Sequence, residues 1–317
     1  MATGGTERLP HVTVIVPVKD RREQMLRCLD ALLDLDYPSY DVLVADNCSS
    51  DGTPEACRER AEGASVEVSV LRLEGRLGAV RNRAVRSARG DVVAFTDSDC
   101  LPDRGWLRAG AGVLAADEGI GVACGRTLPE EPIDGKRWPA TIQVESFTGR
   151  YEGCNLIFRR DAMLAAGGFD EVVGHFWEDT AAGFALKRAG WRAAFAPDAI
   201  VFHDVSFPGY AWHLRRAWKQ SHIGPVLKAY PEMRSELFWL RVFQRPRSAL
   251  FLLFVAGLAL APRHRASLLL TLPYAWLRFP RYPRPRAVTD FAELVAFDAV
   301  NVAGAFVGGV REGELIL

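Results

Sequence analysis

Two aspartates, Asp97 and Asp99, flank Ser98 just after the apolar run Val92-Val93-Ala94-Phe95. A short apolar run bounded by polar chain predicts a buried strand over 91–96. In open α/β sheets, ligands gather beyond the carboxyl ends of the strands. Two carboxylates there concentrate negative charge, which is costly unless a cation offsets it. Hard cations such as Mg²⁺ and Mn²⁺ take oxygen ligands and often share them with substrate phosphates. An acid at a strand end is also a common helix cap, so the triplet alone leaves both readings open.

Further acids fall at comparable places. The run VTVIV over 12–16, ended by Pro17, and the run DVLVA over 41–45 predict two more strands. Asp20 follows the first and Asp46 the second, so both reach one sheet edge. A carboxylate there accepts from a base N–H or a ribose hydroxyl, or simply caps its loop. Arg81 lies near the start of a helix predicted over 77–88. Its planar fork suits phosphate oxygens, and a surface salt bridge is the plainer alternative. Glu178 and Asp179 precede the stretch Ala181 to Ala189, which has helical apolar spacing. They therefore stand at a helix N-terminus, where backbone N–H groups favour an ionised acid. Trp177 beside them suits either a sugar face or the core.

The elements that must position these residues follow from pattern. Met25, Leu26, Leu29, Leu32 and Leu33 repeat at helical spacing over 21–35. NCSSDGT over 47–53 is a turn-rich loop, and Thr53-Pro54 starts another helix. Strands are expected over 66–73, 120–124 and 153–159. Helices are expected over 103–116, 160–166 and 178–189. Residues 127–150 read as loop, and 193–202 as a short strand pair broken by Pro197 and Asp198. Alternating strands and helices argue an α/β core with largely parallel strands.

A net charge of zero conceals a division. Residues 1–210 carry 24 Lys/Arg against 32 Asp/Glu, while residues 211–286 carry 14 against Glu232 and Glu236 alone. Such asymmetry predicts two parts, 1–210 and 211–317, in different surroundings. The second part holds two apolar runs, 248–262 and 266–277, between Arg247, Arg263 and Arg278. A Pro/Arg linker over 278–286 and a largely apolar segment over 290–309 follow. A bilayer core needs about 20 helical residues, so the two runs are short for spanning helices. An interfacial hairpin on an anionic membrane surface fits them, and so does burial in a core or homodimer. The six cysteines form no CxxC pair, which argues against a zinc knot. Reduced thiols in a cytoplasmic protein are expected. Met1 to His11 contains no apolar stretch of the kind a signal peptide needs.

Several blocks together resemble the family 2 glycosyltransferases. They are VTVIVPVKDRREQMLRCLDALLDLDYPSYDVLVADNCSSDGT, GRLGAVRNRAVRSARGDVVAFTDSDCLPDRGWL, GCNLIFRRDAMLAAGGFDE, FWEDTAAGFALKRAG and PDAIVFHD, in that order over roughly 11–204. The resemblance implies a GT-A-type nucleotide-sugar-binding fold. It has a mixed, mostly parallel central sheet flanked by helices, here followed by a helical, basic and apolar extension. It implies that Pro17, Val18 and Asp20 border the nucleotide, that Asp46 contacts the base, and that Asp97 and Ser98 lie on the donor side near the ribose. Asp99 would bind Mn²⁺ or Mg²⁺ and His203 complete the metal or diphosphate site. Arg81 would belong to the donor site, and Asn155, within Gly153-Cys154-Asn155, to the sugar and acceptor pocket. Asp179 would be the catalytic base, with Glu178 holding the loop or an acceptor hydroxyl.

The chain departs from the family pattern in two places. Ala185 stands where relatives usually have Arg, and no QxxRW motif follows His203. The second departure argues against processive synthesis. The expected reaction is therefore an inverting, metal-dependent, single transfer from a nucleotide-diphosphate sugar to a hydroxyl on a glycan or lipid-linked acceptor. Nucleic acid is not an expected partner. The expected location is cytoplasmic, peripheral or monotopic on the cytoplasmic membrane face. Two rivals remain at this level. A sugar-phosphate nucleotidyltransferase would usually carry glycines after its first strand, which VPVKDRRE lacks. A non-catalytic nucleotide-sugar scaffold would not need Asp99, Asp179 and His203 together.

Overall fold

The computed structural model describes residues 9–171, 176–279 and 287–317. Most of the Pro/Arg linker read from the sequence lies outside them. The chain separates into two compact units, Met1–Ser206 and Phe207–Leu317.

In the first unit, eight strands form one sheet. They are β1 (Val12–Val18), β2 (Tyr40–Asp46), β3 (Glu67–Arg72), β4 (Val92–Thr96), β5 (Cys100–Pro102), β6 (Ile120–Pro129), β7 (Asn155–Arg159) and β8 (Arg192–His203). Their order is β3-β2-β1-β4-β7-β6-β8-β5. The β1–β2, β1–β4, β2–β3 and β6–β8 pairs are parallel, while β7 runs antiparallel to both β4 and β6, and β5 to β8. The helices are α1 (Arg22–Leu33), α2 (Thr53–Ala61), α3 (Leu77–Ser87), α4 (Trp106–Ala116), α5 (Arg160–Ala165) and α6 (Glu178–Arg188).

All seven residues of β1 are buried, as expected of a parallel strand covered on both faces. The apolar side of α1 covers it through Met25, Cys28, Leu29 and Leu32. Trp106, Leu107 and Leu114 of α4 join the same core. Pro17 does not end β1. Its ladder to β4 stops at Ile15↔Phe95, while pairing with β2 continues to Val18↔Asp46. Proline is thus placed where the strand has one neighbour. The expected break at Pro197-Asp198 is instead a bulge within one long strand. The β6–β8 register jumps from Gly125↔Ala196 to Arg126↔Ile200, leaving the proline, which cannot donate, outside the ladder. All six cysteines are free.

The second unit is helical: α7 (Tyr210–Trp218), α8 (Ile223–Ala229), α9 (Met233–Leu237), α10 (Pro246–Leu260), α11 (Leu272–Arg278) and α12 (Ala287–Arg311). The run 266–277 is divided, with 3-10 turns over Arg265–Thr271 and Pro273 in the first turn of α11. There a missing N–H removes no helical bond. Phe251, Tyr274 and Val302 form a small core. The Tyr274 hydroxyl donates to Asp298 at 2.8 Å, and Arg278 pairs with the same carboxylate at 2.9 Å. By length and composition, α12 could cross a membrane. Within the unit, however, its Gly304 and Gly308 lie against the backbones of Trp218 and Ser221.

Candidate active site

The carboxyl ends of β1, β2 and β4 stand side by side through the registers Val18↔Asp46 and Ile15↔Phe95. Pro17 and Val18 are buried, and Asp46 is fully buried at the end of β2. Its carboxylate accepts from the Ser49 N–H at 3.2 Å. Asp20 adopts φ 50 and accepts from the Ser50 N–H at 2.7 Å, while its own N–H donates to the Ser49 hydroxyl. The loops after β1 and β2 are therefore tied together beside Asp97 and the buried Ser98.

β5 begins one residue after Asp99 and pairs Cys100 with His203 at the end of β8. This short pairing brings His203 Nε2 to 3.9 Å from Asp99 Oδ1. His203 Nδ1 lies 2.9 Å from the Asp204 carbonyl. Since a carbonyl only accepts, that contact assigns a proton to Nδ1 and leaves Nε2 as the nitrogen that faces Asp99. One ligand atom each from Asp99, Cys100 and His203 falls within 4.8 Å of the others. A hydrogen bond with Cys154 and burial push the Cys100 thiol well above its usual pKa. The carboxylate and the oriented imidazole are a donor set suited to a divalent cation such as Mn²⁺. Arg21, immediately after Asp20, pairs with Asp99 Oδ2. Sequence reasoning missed it, although its place in KDRRE, just past β1, puts it on this sheet edge.

A second group of acids lies close by. Glu178 and Asp179 open α6, preceded by Trp177 at φ 90. That conformation is unusual for an aromatic residue and turns the chain sharply into the helix. The Gly153 N–H donates to Asp179 Oδ2 at 3.0 Å. A Cβ on Gly153 would fall 2.3 Å from that oxygen, so a side chain here would displace the carboxylate from this position.

Arg81 on α3 was expected at the diphosphate. It is 2% exposed, and three carboxylates take up its guanidinium. Nη1 meets Asp179 and lies 3.3 Å from Glu178, while Nη2 lies 3.5 Å from Asp97. Burial is the largest influence on Asp179. Arg81 opposes it and Glu178 adds to it, and the carboxyl is pushed up to about 7. The helix N-terminus favours the ionised acid, but desolvation works against it and is the larger influence. Asp97 is likewise raised, by burial first, with Arg81 opposing. Burial works against the charge of Arg81, but Asp179, Asp97 and Glu178 together hold its pKa up.

Asn155 was expected to line the sugar pocket. It is buried, and its amide serves the framework. Oδ1 accepts from Trp106 Nε1 at 2.8 Å, and Nδ2 donates to the Arg126 and Ala199 carbonyls, each at 2.9 Å. Ala185, where relatives usually have Arg, is half-buried, and the residues before it on α6 pack closely. Ala181 and Ala182 are fully buried, and Gly183 leaves room for the Tyr151 ring, which meets Phe184 edge-on.

Comparison with known proteins agrees with this geometry. Residues 13–169 match the model of glycosyl transferase family 2, and residues 92–297 that of glycosyl transferase family group 2. A Pyrobaculum calidifontis mannosyltransferase solved with GDP-Man and Mn²⁺ superposes with TM-score 0.68 and 25% identity, over 97% of this chain and 89% of that one. The glycosyltransferase AglE of Haloferax volcanii is 30% identical over 63% of this chain and 69% of its own length. A Mycobacterium tuberculosis pre-mycofactocin glycosyltransferase is 27% identical over 71% of this chain. The chain spans about half of that relative, 49% of its length. The sheet is that of the GT-A fold, and the chain belongs to the family 2 glycosyltransferases, enzymes that transfer a sugar from a nucleotide-sugar donor.

Proposed function

We propose that this enzyme carries out an inverting, metal-dependent, non-processive transfer from a nucleotide-diphosphate sugar to an acceptor hydroxyl. Pro17, Val18, Asp20, Asp46, Asp97 and Ser98 border the nucleotide. Asp99 and His203 hold Mn²⁺ or Mg²⁺, which supplies positive charge against the leaving diphosphate. The acceptor oxygen bonds to the anomeric carbon as the bond to the diphosphate oxygen breaks. The electron pair leaves with the diphosphate, and the acceptor proton goes to Asp179. Glu178 holds the entrance of α6.

One observation carries this reading: the donor-side acid Asp97 and the pair Glu178 and Asp179 meet on a single guanidinium. A carboxyl that burial pushes up to about 7 matches the pKa wanted in a general base. The Mn²⁺ and GDP-Man of the Pyrobaculum relative support the metal and the donor class. A lipid-linked or envelope-glycan acceptor, reached from the cytoplasmic face of an anionic membrane, is supported by the exposed apolar residues of the second unit.

The test is a screen of nucleotide sugars by thermal shift with Mn²⁺, then transfer with the donor that binds. NMR of the product should show the opposite anomeric configuration to the donor. Retained configuration, or joining of a nucleotide to a sugar phosphate, overturns the proposal.

A further inference from the structure

Three carboxylates take the terminal nitrogens of Arg81, a buried cation at the centre of the site, and its Nε is buried with no hydrogen-bond partner among the described residues. The nitrogens of its fork divide their work. Nη2 lies toward Asp97 at the end of β4, and Nη1 toward Glu178 and Asp179 at the start of α6. These acids come from distant parts of the sequence, and Arg81 contacts all three.

The helix that carries Arg81 is itself pinned. The neighbouring Asn82 accepts from the Phe169 N–H and donates to the Phe169 carbonyl, each at 2.8 Å. A Cβ on Gly78 would come within 2.8 Å of the Asp170 carbonyl oxygen, so α3 lies directly on this turn. The Phe169 ring centroid is 5.1 Å from the guanidinium carbon, a contact that favours the cation. Arg81 is thus held on a fixed helix against a fixed turn.

We propose that Arg81 is the positioning residue of the transfer base, its fork fixing Asp179 at a set distance from the donor-side Asp97 and supplying charge that favours the ionised form of Asp179. This rests on the reading of Asp179 as the base. A planar fork can serve acids on two sides at once, which a lysine ammonium cannot do with the same geometry. Among the described residues, the groups facing Asp179 are Arg81 from α3, Asp97 from the end of β4, Glu178 on its own helix and the Gly153 N–H ahead of β7. Arg81 is the only cation among them. With it removed, Asp179 keeps its burial and two negative neighbours, and all three disfavour ionisation.

The experiment compares Arg81→Met, Arg81→Lys and Asp179→Asn with the full-length enzyme, at saturating metal and donor, with chemistry rate-limiting. In Arg81→Met, kcat should fall at neutral pH and the acid limb of its pH profile should move upward by at least about one unit. Activity should then recover as pH rises, and nucleoside diphosphate affinity should stay within a few-fold of wild type. Arg81→Lys, which keeps the charge, should show a smaller upward shift and a lower plateau, because the fork is lost. A uniform fall in rate with the limb unmoved would mean a merely structural role and overturns the proposal. If Arg81→Met does not fold, Arg81→Lys decides: a wild-type limb and plateau in that variant also overturns it. Near-normal transfer by Asp179→Asn removes the base reading itself. A dead Asp179→Asn beside an unshifted Arg81→Met limb removes only the role of Arg81.

Discussion

At Asp179, exchange for Asn keeps size and an acceptor for the Gly153 N–H while removing the basic oxygen. Loss of a general base typically costs ~10²–10⁴-fold in turnover. Asp179→Asn is therefore expected to lose transfer by that range while calorimetry finds nucleotide affinity nearly unchanged. Its stability should not fall. Burial raises the carboxyl from 3.8 to about 7 in the folded protein, so the folded state binds the proton more tightly than the unfolded chain does. Stability contributed there declines as pH rises from about 4 to about 7. The uncharged Asn escapes that decline, and the variant should melt at or above the wild-type temperature at pH 7–8. The same titration predicts that wild-type kcat rises as pH rises through about 7, and a flat profile over pH 6–8 counts against it. At the metal pair, Asp99→Ala should weaken nucleoside diphosphate binding in Mn²⁺ with the fold intact, and Asp97→Ala should do so less. Unchanged affinity and metal dependence in Asp99→Ala would sink that assignment. Asp97, Asp99 and Asp179 could be marked from the sequence because their motifs are local. The partners of Arg81 and Asn155 could not, because each is chosen by packing between segments that no local pattern links.

Elements built from local apolar pattern were the most legible. The runs that became β1, β2 and β4 and the spacing that became α1 are properties of short windows. β5 has three residues and exists only because β8 lies beside it. No local period reveals such a strand, yet it brings His203 to Asp99. The β8 bulge is similar. Pro197 signalled a break, but only the parallel partner β6 shows that the strand resumes at Ile200. A short turn has a comparable effect on the base, since Gly153 allows the first turn of α6 to sit against the backbone ahead of β7. Gly153→Ala places a methyl carbon where the Asp179 carboxylate lies. The acid must then shift, and misplacement by about 1 Å can cost on the order of 10²-fold in rate. Donor affinity should be kept, since the β1, β2 and β4 ends are untouched. A Gly153→Ala enzyme with wild-type kcat would show that this contact does not set the position of the base.

For the whole molecule, the outstanding asymmetry is the second unit. Leu269 is 67% exposed, Leu272 58% and Trp276 78%, beside the exposed Leu268, Leu277 and Phe279. So much apolar side chain on one short stretch, residues 268–279, is unusual for a surface that meets only water. The exposed Arg263 and Arg265 precede it, while Arg278 within it is taken up by the buried Asp298. Apolar side chains among arginines match the interface of an anionic leaflet, where the first enter the acyl boundary and the second meet headgroup phosphates. α12 is the alternative by length, but its buried Asp298 and closely packed glycines are already used inside the unit. We therefore expect the full-length protein to sediment with vesicles containing anionic lipid, and more weakly with neutral ones. High salt should release part of it, since charge contributes only part of the attraction. Burying a leucine-sized side chain is worth roughly 1.5–3 kcal/mol. Leu269→Ser with Leu272→Ser should accordingly reduce vesicle partitioning on the order of a hundred-fold or more, while transfer to a short soluble acceptor continues. A protein that stays in solution without detergent and ignores both kinds of vesicle would refute membrane docking. In that case, concentration-dependent dimerisation abolished by the same two substitutions would identify a second copy of the chain as the occupant of this face.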